Sequence, residues 1–365
     1  MQIVGGRRAG RYSRRMVLQA AAGSALLGAV TSAAGAAGEA ADQRDAWFVG
    51  RGVAIVPTEA AAMELPERAG EWDLNLIDMS HYAEWAAGTD EGRALVAACR
   101  RLGVGIEFSL HVPSMFLSRT LFEKDPTLFR MDESGNRTPD ANLCVHSEPA
   151  LEILCENAVK YADLLRPTTG RYHYWTDDGA KMCRCPRCRG LSDSDQALIV
   201  ENRMLKALRR GDRRARVAHL AYQPTLVPPT QVKPEPGIYL EFAPIERDSL
   251  KPLDNGSPVH TKVLEHLDAN LALFGKRDAE VLEYWLDNSR ASGWKRERIG
   301  LLPWSRETYL RDLRVYAGRG IRRMRTYAYW FDADYVGRYG PPPLAEYGAG
   351  LRRWHAVRGR PVERA

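Results

Sequence analysis

The sequence predicts a single (β/α)8 barrel, and three observations carry that expectation. Eight short β-rich runs alternate with stretches of helical period, the order that builds a parallel sheet with helices outside it. The span involved exceeds the ~250 residues such a barrel typically takes, leaving room for long loops. No Gly-x-Gly-x-x-Gly turn follows the first run, so the competing doubly wound open sheet lacks its fingerprint.

Taken in order, Gly52–Val56 reads as the first strand, and Thr58-Glu59-Ala60-Ala61 opens a helix behind it. Trp72–Met79 is the second strand. A helix over Glu91–Leu102 follows, with Gly103 as its stop. Gly105–Val112 is the third strand, and a long loop carries Pro113 to Pro139. Ser147-Glu148-Pro149 opens a helix that runs to Leu165, with an acid and a proline in its first turn. Tyr172–Thr176 is the fourth strand, and Ser192-Asp193-Ser194-Asp195 caps a helix to about Arg209. Val217–Tyr222 and Ile238–Phe242 are the fifth and sixth strands. The proline-rich link between them, Pro224 to Pro236, has no helical period, so this connection is expected to lack its helix. Lys262–Phe274 is a helix, Val281–Leu286 a strand, Arg306–Ala317 a helix and Met324–Trp330 the eighth strand. Pro341-Pro342-Pro343 introduces a last helix over Leu344–His355.

Residues 1–36 read as an export signal outside this fold. Arginines at 7, 8, 11, 14 and 15 precede a soft apolar run from Val17 to Val30, and Ala34-Gly35-Ala36 supplies an Ala-x-Ala cleavage site. Ser13-Arg14-Arg15-Met16-Val17-Leu18 narrows it to the twin-arginine type, whose translocation machinery then becomes a partner and whose destination is periplasmic or extracellular. The apolar run is too short and too rich in Ala and Gly to span a membrane. The expected organisation is a signal over 1–36, a barrel over 45–357 and a tail over 358–365. The chain carries a net charge of +6, and five of those charges are the signal's arginines, which no acid accompanies. The nearly neutral remainder has no long basic run, so nucleic acid is not an expected partner.

In a barrel, chemistry sits at the C-terminal ends of the strands. Those ends carry Asp78 and His81, then His111, then Asn142 in the third loop. Trp175, Asp177 and Asp178 follow the fourth strand, Tyr222 the fifth and Glu241 the sixth. Glu283, Trp285 and Asp287 lie on the seventh, and Trp330 with Asp332 after the eighth. Acids beside aromatic faces, with few Lys or Arg, suit a carbohydrate ring, because rings stack on apolar sugar faces while hydroxyls need acceptors. Glycoside hydrolysis uses one protonated carboxyl and a second carboxylate. The adjacent Asp177 and Asp178 are the first candidates, and Glu241 is placed to complete a catalytic set. His111, Asn142, Trp175, Tyr222, Glu283, Trp285, Asp287 and Trp330 are the expected sugar contacts. A one-residue change of register would reverse which of the strand residues point inward. No catalytic cofactor is expected, because the histidines are few and lack His-x-His spacing.

The run Tyr174-Trp175-Thr176-Asp177-Asp178-Gly179, with Cys183-x-Cys185-x-x-Cys188 downstream, resembles an exported bacterial family known as domain of unknown function 4838. Asn142-Leu143-Cys144 and Ser147-Glu148-Pro149 resemble the same family, and the similarity covers Trp47 to about Trp354. The resemblance implies a fold related to α-glucuronidases and β-N-acetylhexosaminidases, hence a sugar bearing a 2-acetamido or uronate group. The hexosaminidases keep an Asp-Glu pair after strand four, and O-GlcNAc-cleaving enzymes an Asp-Asp pair. By that pattern Asp177 would orient the acetamido group and Asp178 would be the general acid. Asp178 in place of the hexosaminidases' Glu shortens the reach. The alternative is a non-catalytic carbohydrate-binding barrel that keeps the acids for hydrogen bonding.

Cys183, Cys185 and Cys188 admit three readings. They are ligands of a structural zinc ion with Cys144 or His173 as a fourth, halves of disulfides with Cys144, Cys155 or Cys99, or free thiols.

Overall fold

The computed structural model describes residues 46–80 and 83–364. The export signal and His81 lie outside the described residues. Eight parallel strands close into one barrel in chain order. They are β1 Gly50–Ile55, β2 Leu76–Ser80, β3 Gly105–His111, β4 Arg171–Trp175, β5 Arg216–Ala221, β6 Ile238–Phe242, β7 Glu280–Asp287 and β8 Arg323–Tyr329. All eight expected strands are present, within a few residues of their predicted limits. β1 pairs with both β2 and β8, so no edge is left open. Among the described residues no helix is long and apolar enough to cross a membrane.

Local chemistry sets the helices. α1 (Pro57–Ala62) starts on a proline, whose missing N–H costs nothing at a first turn. α2 (Asp90–Leu102) begins where Thr89 Oγ1 accepts from Gly92 N at 3.0 Å and stops at Gly103 in the left-handed region. α3 (Glu148–Leu164) and α4 (Asp193–Leu208) follow, and a reciprocal box between Ser192 and Asp195 caps α4. α5 (Pro258–Phe274), α6 (Arg306–Gly318) and α7 (Leu344–Arg352) complete the main set. The expected absence of a helix between β5 and β6 holds, with a single 3-10 turn at Gln223–Thr225. Asp195 holds that link in place, its Oδ1 accepting from the N–H groups of Thr230, Gln231 and Val232 at 3.0, 2.8 and 2.8 Å.

The C-terminus departs from expectation. The last helix ends at Arg352, and Trp354–Val357 pairs antiparallel with Arg360–Glu363. Arg358 and Gly359, at φ 49° and 72°, form the two-residue connection, whose positive angles match the twist of a hairpin. His355, in the first strand of this hairpin, also bridges to Ala46, so the hairpin is stitched to the start of the fold.

The barrel interior is charged. Arg325 on β8 pairs with Asp78 on β2 and Glu241 on β6, and its Nη2 lies 2.9 Å from Glu280 Oε1 on β7. His173 on β4 bridges Glu107 Oε2 at 2.9 Å and Glu241 Oε2 at 2.8 Å. Arg171 reaches Glu280 Oε2 at 2.8 Å and stacks on Tyr239 at 3.6 Å. Burial and the nearby Arg325 oppose charge on His173, but its ring of glutamates outweighs them and lifts its pKa to about 10. Trp175, Leu220, Leu282 and Tyr284, together with the ring of Tyr239 on which Arg171 stacks, form a small apolar plug distinct from the main core between strands and helices.

Candidate active site at the mouth of the barrel

A cavity of about 890 Å³ opens at the C-terminal ends of the strands. Its aromatic lining is Trp175, Tyr222, Tyr284, Trp294, Tyr327, Tyr329 and Trp330, and its carboxylates are Glu59, Asp178 and Asp287. Arg296 is the one guanidinium among the described lining residues. The volume fits a small ligand enclosed on several sides.

β4 delivers Asp178. His173 and Trp175 alternate inward along that strand, and Trp175 Nε1 donates to buried Glu241 at 2.8 Å, which fixes the indole as floor. The chain then turns at Gly179, φ 61°, where a Cβ would run into Gln223 Oε1. The turn leaves Asp178 exposed in the cavity, with Tyr222 Oη donating to its Oδ1 at 3.1 Å. His111, at the end of β3, stacks on Trp175 at 5.2 Å and bonds through Nδ1 to the Thr176 carbonyl at 2.5 Å.

Asp287 owes its place to an irregularity. β7 and β8 pair Glu283 with Thr326 but Leu286 with Ala328, so β7 carries one extra residue. Side chains alternate along a strand, and a bulge resets that alternation. Glu283 therefore faces the outer helices while Asp287 faces the cavity. Burial pushes the Asp287 carboxyl above its usual range, against bonds from Ser289 and the Arg290 N–H.

Glu59 was not among the predicted site residues. It follows β1 by four positions, sits on α1 and is only 7% exposed. Its Oε2 accepts from Trp330 N at 3.1 Å. Trp330 adopts φ 66°, unusual for a bulky side chain, and its ring lies 4.9 Å from the Arg296 guanidinium. Burial lifts the Glu59 carboxyl to about 7, outweighing the backbone donors and Arg296 that favour its ionised form. One buried carboxyl therefore holds a proton near neutrality, and an exposed one, Asp178, lines the same cavity. That pairing can perform acid–base chemistry.

Of the predicted contacts, His111, Trp175, Tyr222, Asp287 and Trp330 line this cavity together with Asp178. Five other residues are placed elsewhere. Asp177 turns away from the cavity and is a clamp between loops. Its Oδ2 accepts from Ser114 Oγ at 2.6 Å and Asn142 N at 2.6 Å, and its Oδ1 from Ser114 N at 3.1 Å. Asn142 is the other half of that clamp, bonding Asp177 N and the carbonyls of Ala180 and Lys181. Glu241 lies below the floor, fully buried against Arg325 and His173, and those cations hold its pKa down against burial. Glu283 bonds Tyr316 on α6 and lies 3.6 Å from Arg247. Trp285 packs on Tyr309 at 4.9 Å and donates to Asp312 at 3.0 Å, on the outside of the barrel.

The missed residues left a partial trace in the sequence. Arg325, Tyr327 and Tyr329 recur at period two, the mark of one strand face. Tyr284 sits one residue from Glu283 and so points to the opposite face of β7 by ordinary alternation.

Two buried groups have metal-ligating side chains within reach of one another among the described residues: Glu107, His173 and Glu280, and the four thiols Cys144, Cys183, Cys185 and Cys188. Arg325 and Arg171 already supply the counter-charge of the first. His173 belongs to that layer and so is not a ligand of the cysteine cluster, as the sequence had allowed.

The family described as "Domain of unknown function (DUF4838)" matches residues 79–270, just over half of the 365. No curated protein matches the chain. Similar solved structures include a β-galactosidase from the psychrophilic Marinomonas ef1, at 12% identity and TM-score 0.47, covering 82% of this chain and 58% of that one. A mutant Streptomyces plicatus β-hexosaminidase in complex with its product GlcNAc aligns at 12% identity and TM-score 0.44, covering 84% and 64%. A chitinase from Chromobacterium violaceum aligns at 13% identity and TM-score 0.44, covering 83% and 99%. The chain spans less than two thirds of the length of the first two. Nothing about its chemistry rests on these likenesses.

Proposed function

Starting from this chain's membership of the DUF4838 family, whose description assigns no activity, we propose that it is an exported glycoside hydrolase acting at the mouth of its barrel. The observation that carries the proposal is the cavity itself, in which three carboxylates face a set of aromatic rings. Rings offer stacking faces to a sugar, and carboxylates accept its hydroxyls and move its protons. The export step rests on the twin-arginine sequence at Ser13–Leu18.

Glu59 is the general acid in this reading, because burial keeps its proton to about pH 7. It delivers that proton to the departing glycosidic oxygen. Asp178, exposed and oriented by the Tyr222 hydroxyl, is the carboxylate that opposes the positive charge at the anomeric carbon and receives a proton from the incoming water. The family resemblance implied Asp178 as the acid; in the present reading the contrast in burial favours Glu59 for that role. The scheme in which Asp177 orients a 2-acetamido group is withdrawn, since Asp177 spends its acceptors on Ser114 and Asn142. Arg296 in the lining, whose Nη1 also pairs with Asp332 at 3.1 Å, is the cation that would meet an acidic sugar, and a uronide is the preferred substrate class over a 2-acetamido sugar.

Aryl uronides and aryl 2-acetamido glycosides with good and poor leaving groups test this. Loss of the acid in Glu59→Gln should slow poor leaving groups far more than good ones, because a good leaving group departs without a proton. Asp178→Asn should slow both alike. Sugar binding without turnover by the wild type, or full activity in Asp178→Asn, overturns the reading.

A further inference from the structure

Behind the Asp178 turn, the four thiols of Cys144, Cys183, Cys185 and Cys188 converge. Cys144 Sγ lies 3.8 Å from Cys185 Sγ and 3.8 Å from Cys188 Sγ, and all four sulfurs fall within 4.8 Å of one another. A zinc ion at about 2.3 Å from each of four thiolates sets the sulfurs about 3.8 Å apart at tetrahedral angles. Two disulfides would instead divide the group into bonded pairs, whereas Cys144 is equally close to two partners and none of the four is bonded. We propose that these four cysteines form a closed, structural zinc site that fastens the Asp178 loop to the segment preceding α3.

A second observation points the same way. Donors are already aimed at the sulfurs, as a tetrathiolate centre with its excess negative charge requires. Cys183 Sγ receives the N–H groups of Met131 at 3.3 Å and Cys185 at 3.5 Å, and Arg137 Nη1 lies 3.7 Å away. His146 Nδ1 approaches Cys188 Sγ at 3.1 Å. The framework is also braced independently of any ion. Gln196 on α4 holds both the N–H and the C=O of Cys183 at 3.1 Å, and Cys185-Pro186-Arg187-Cys188 folds into a tight turn, with Cys188 N on Cys185 O at 2.9 Å. All four cysteines are buried, so no coordination position faces the cavity and the ion would not touch substrate.

The ion would join two stretches that the Asp177–Asn142 clamp already crosses. Cys183 lies five residues beyond Asp178, and Cys144 two beyond Asn142. Together the clamp and the ion would fix the turn on which Asp178 stands.

Elemental analysis of the full chain, purified without chelator, should find about one zinc per chain. Cobalt loaded in its place should show the visible bands of a tetrahedral tetrathiolate. Cys188→Ser should abolish the metal, while Cys155→Ser, outside the cluster, should keep it. Should Cys188→Ser fail to fold, thiol counting on the wild type decides. With zinc bound, the native chain should protect the four clustered thiols from alkylation, and denaturation with chelator should free all six cysteines without a reductant. No metal with the clustered cysteines alkylated only after reduction means disulfides and overturns the proposal. No metal with six free thiols overturns it equally.

Discussion

Replacing Glu59 with Gln should make the protein more stable in alkaline solution while impairing its chemistry. Burial moves the carboxyl from 4.5 to about 7. At about 1.4 kcal/mol per pH unit, that displacement represents roughly 3 kcal/mol. Its sign follows from where the proton sits. Between pH 4.5 and about 7 the native state keeps a proton that the unfolded chain has released. Stability from this group is therefore complete below the lower value and declines as pH rises through the upper one. The amide that Glu59→Gln introduces carries no charge at any pH, and its oxygen can still accept from Trp330 N. Wild type and variant should thus differ little in acid, and the variant should gain by up to roughly 3 kcal/mol above neutrality. Urea denaturation of both proteins at a series of pH values reads the difference directly. A stability difference that does not vary with pH would refute the claim that Glu59 is buried and protonated. So would a variant less stable than wild type in alkali. The alkaline limb of the pH–activity profile should report the same group, with wild-type activity falling as pH rises through about 7.

Two further changes test other parts of the structure. Arg325→Met removes the cation at the centre of the barrel, leaving Asp78 without its ion pair and Glu241 and Glu280 with only His173 and Arg171 as counter-charge; it should destabilise by about 3–5 kcal/mol or prevent folding, measured by denaturant midpoint or soluble yield. Asp177→Asn replaces an acceptor of three hydrogen bonds by an amide that presents donors to Ser114 and Asn142. It should cost about 1–3 kcal/mol of stability, and a limited-proteolysis assay should show new cleavage in the loops it joins.

How much of this was legible depends on the kind of signal. The eight strands, the major helices and the helix-free β5–β6 link follow from hydrophobic period, capping residues and proline placement, all of which act within a few residues. The hairpin at the C-terminus was read as the end of a helix and a tail, because its pairing partner is close in sequence but its anchor, Ala46, is at the other end of the fold. For the site, strand-end position alone found Asp178, His111, Trp175, Tyr222, Asp287 and Trp330. The same rule also gathered Glu241, Glu283 and Trp285, since it cannot tell the inner face of a strand from the outer, nor the mouth of the barrel from its floor.

By itself the sequence determined the alternation that closes the barrel, the loop on which Asp178 stands and the clustering of three cysteines near it. Only the tertiary structure decided which acids share a cavity. The bulge in β7 turns Asp287 inward and leaves Glu283 and Trp285 outside, and the charged layer beneath Trp175 claims Glu241. Glu59 acquires its proton from burial against strands almost the whole chain away. Cys144 joins the other cysteines across some forty residues. The physical reason is common to all four. Facing, burial and counter-charge are properties of neighbours in space, and closing a barrel makes neighbours of residues that the chain keeps far apart.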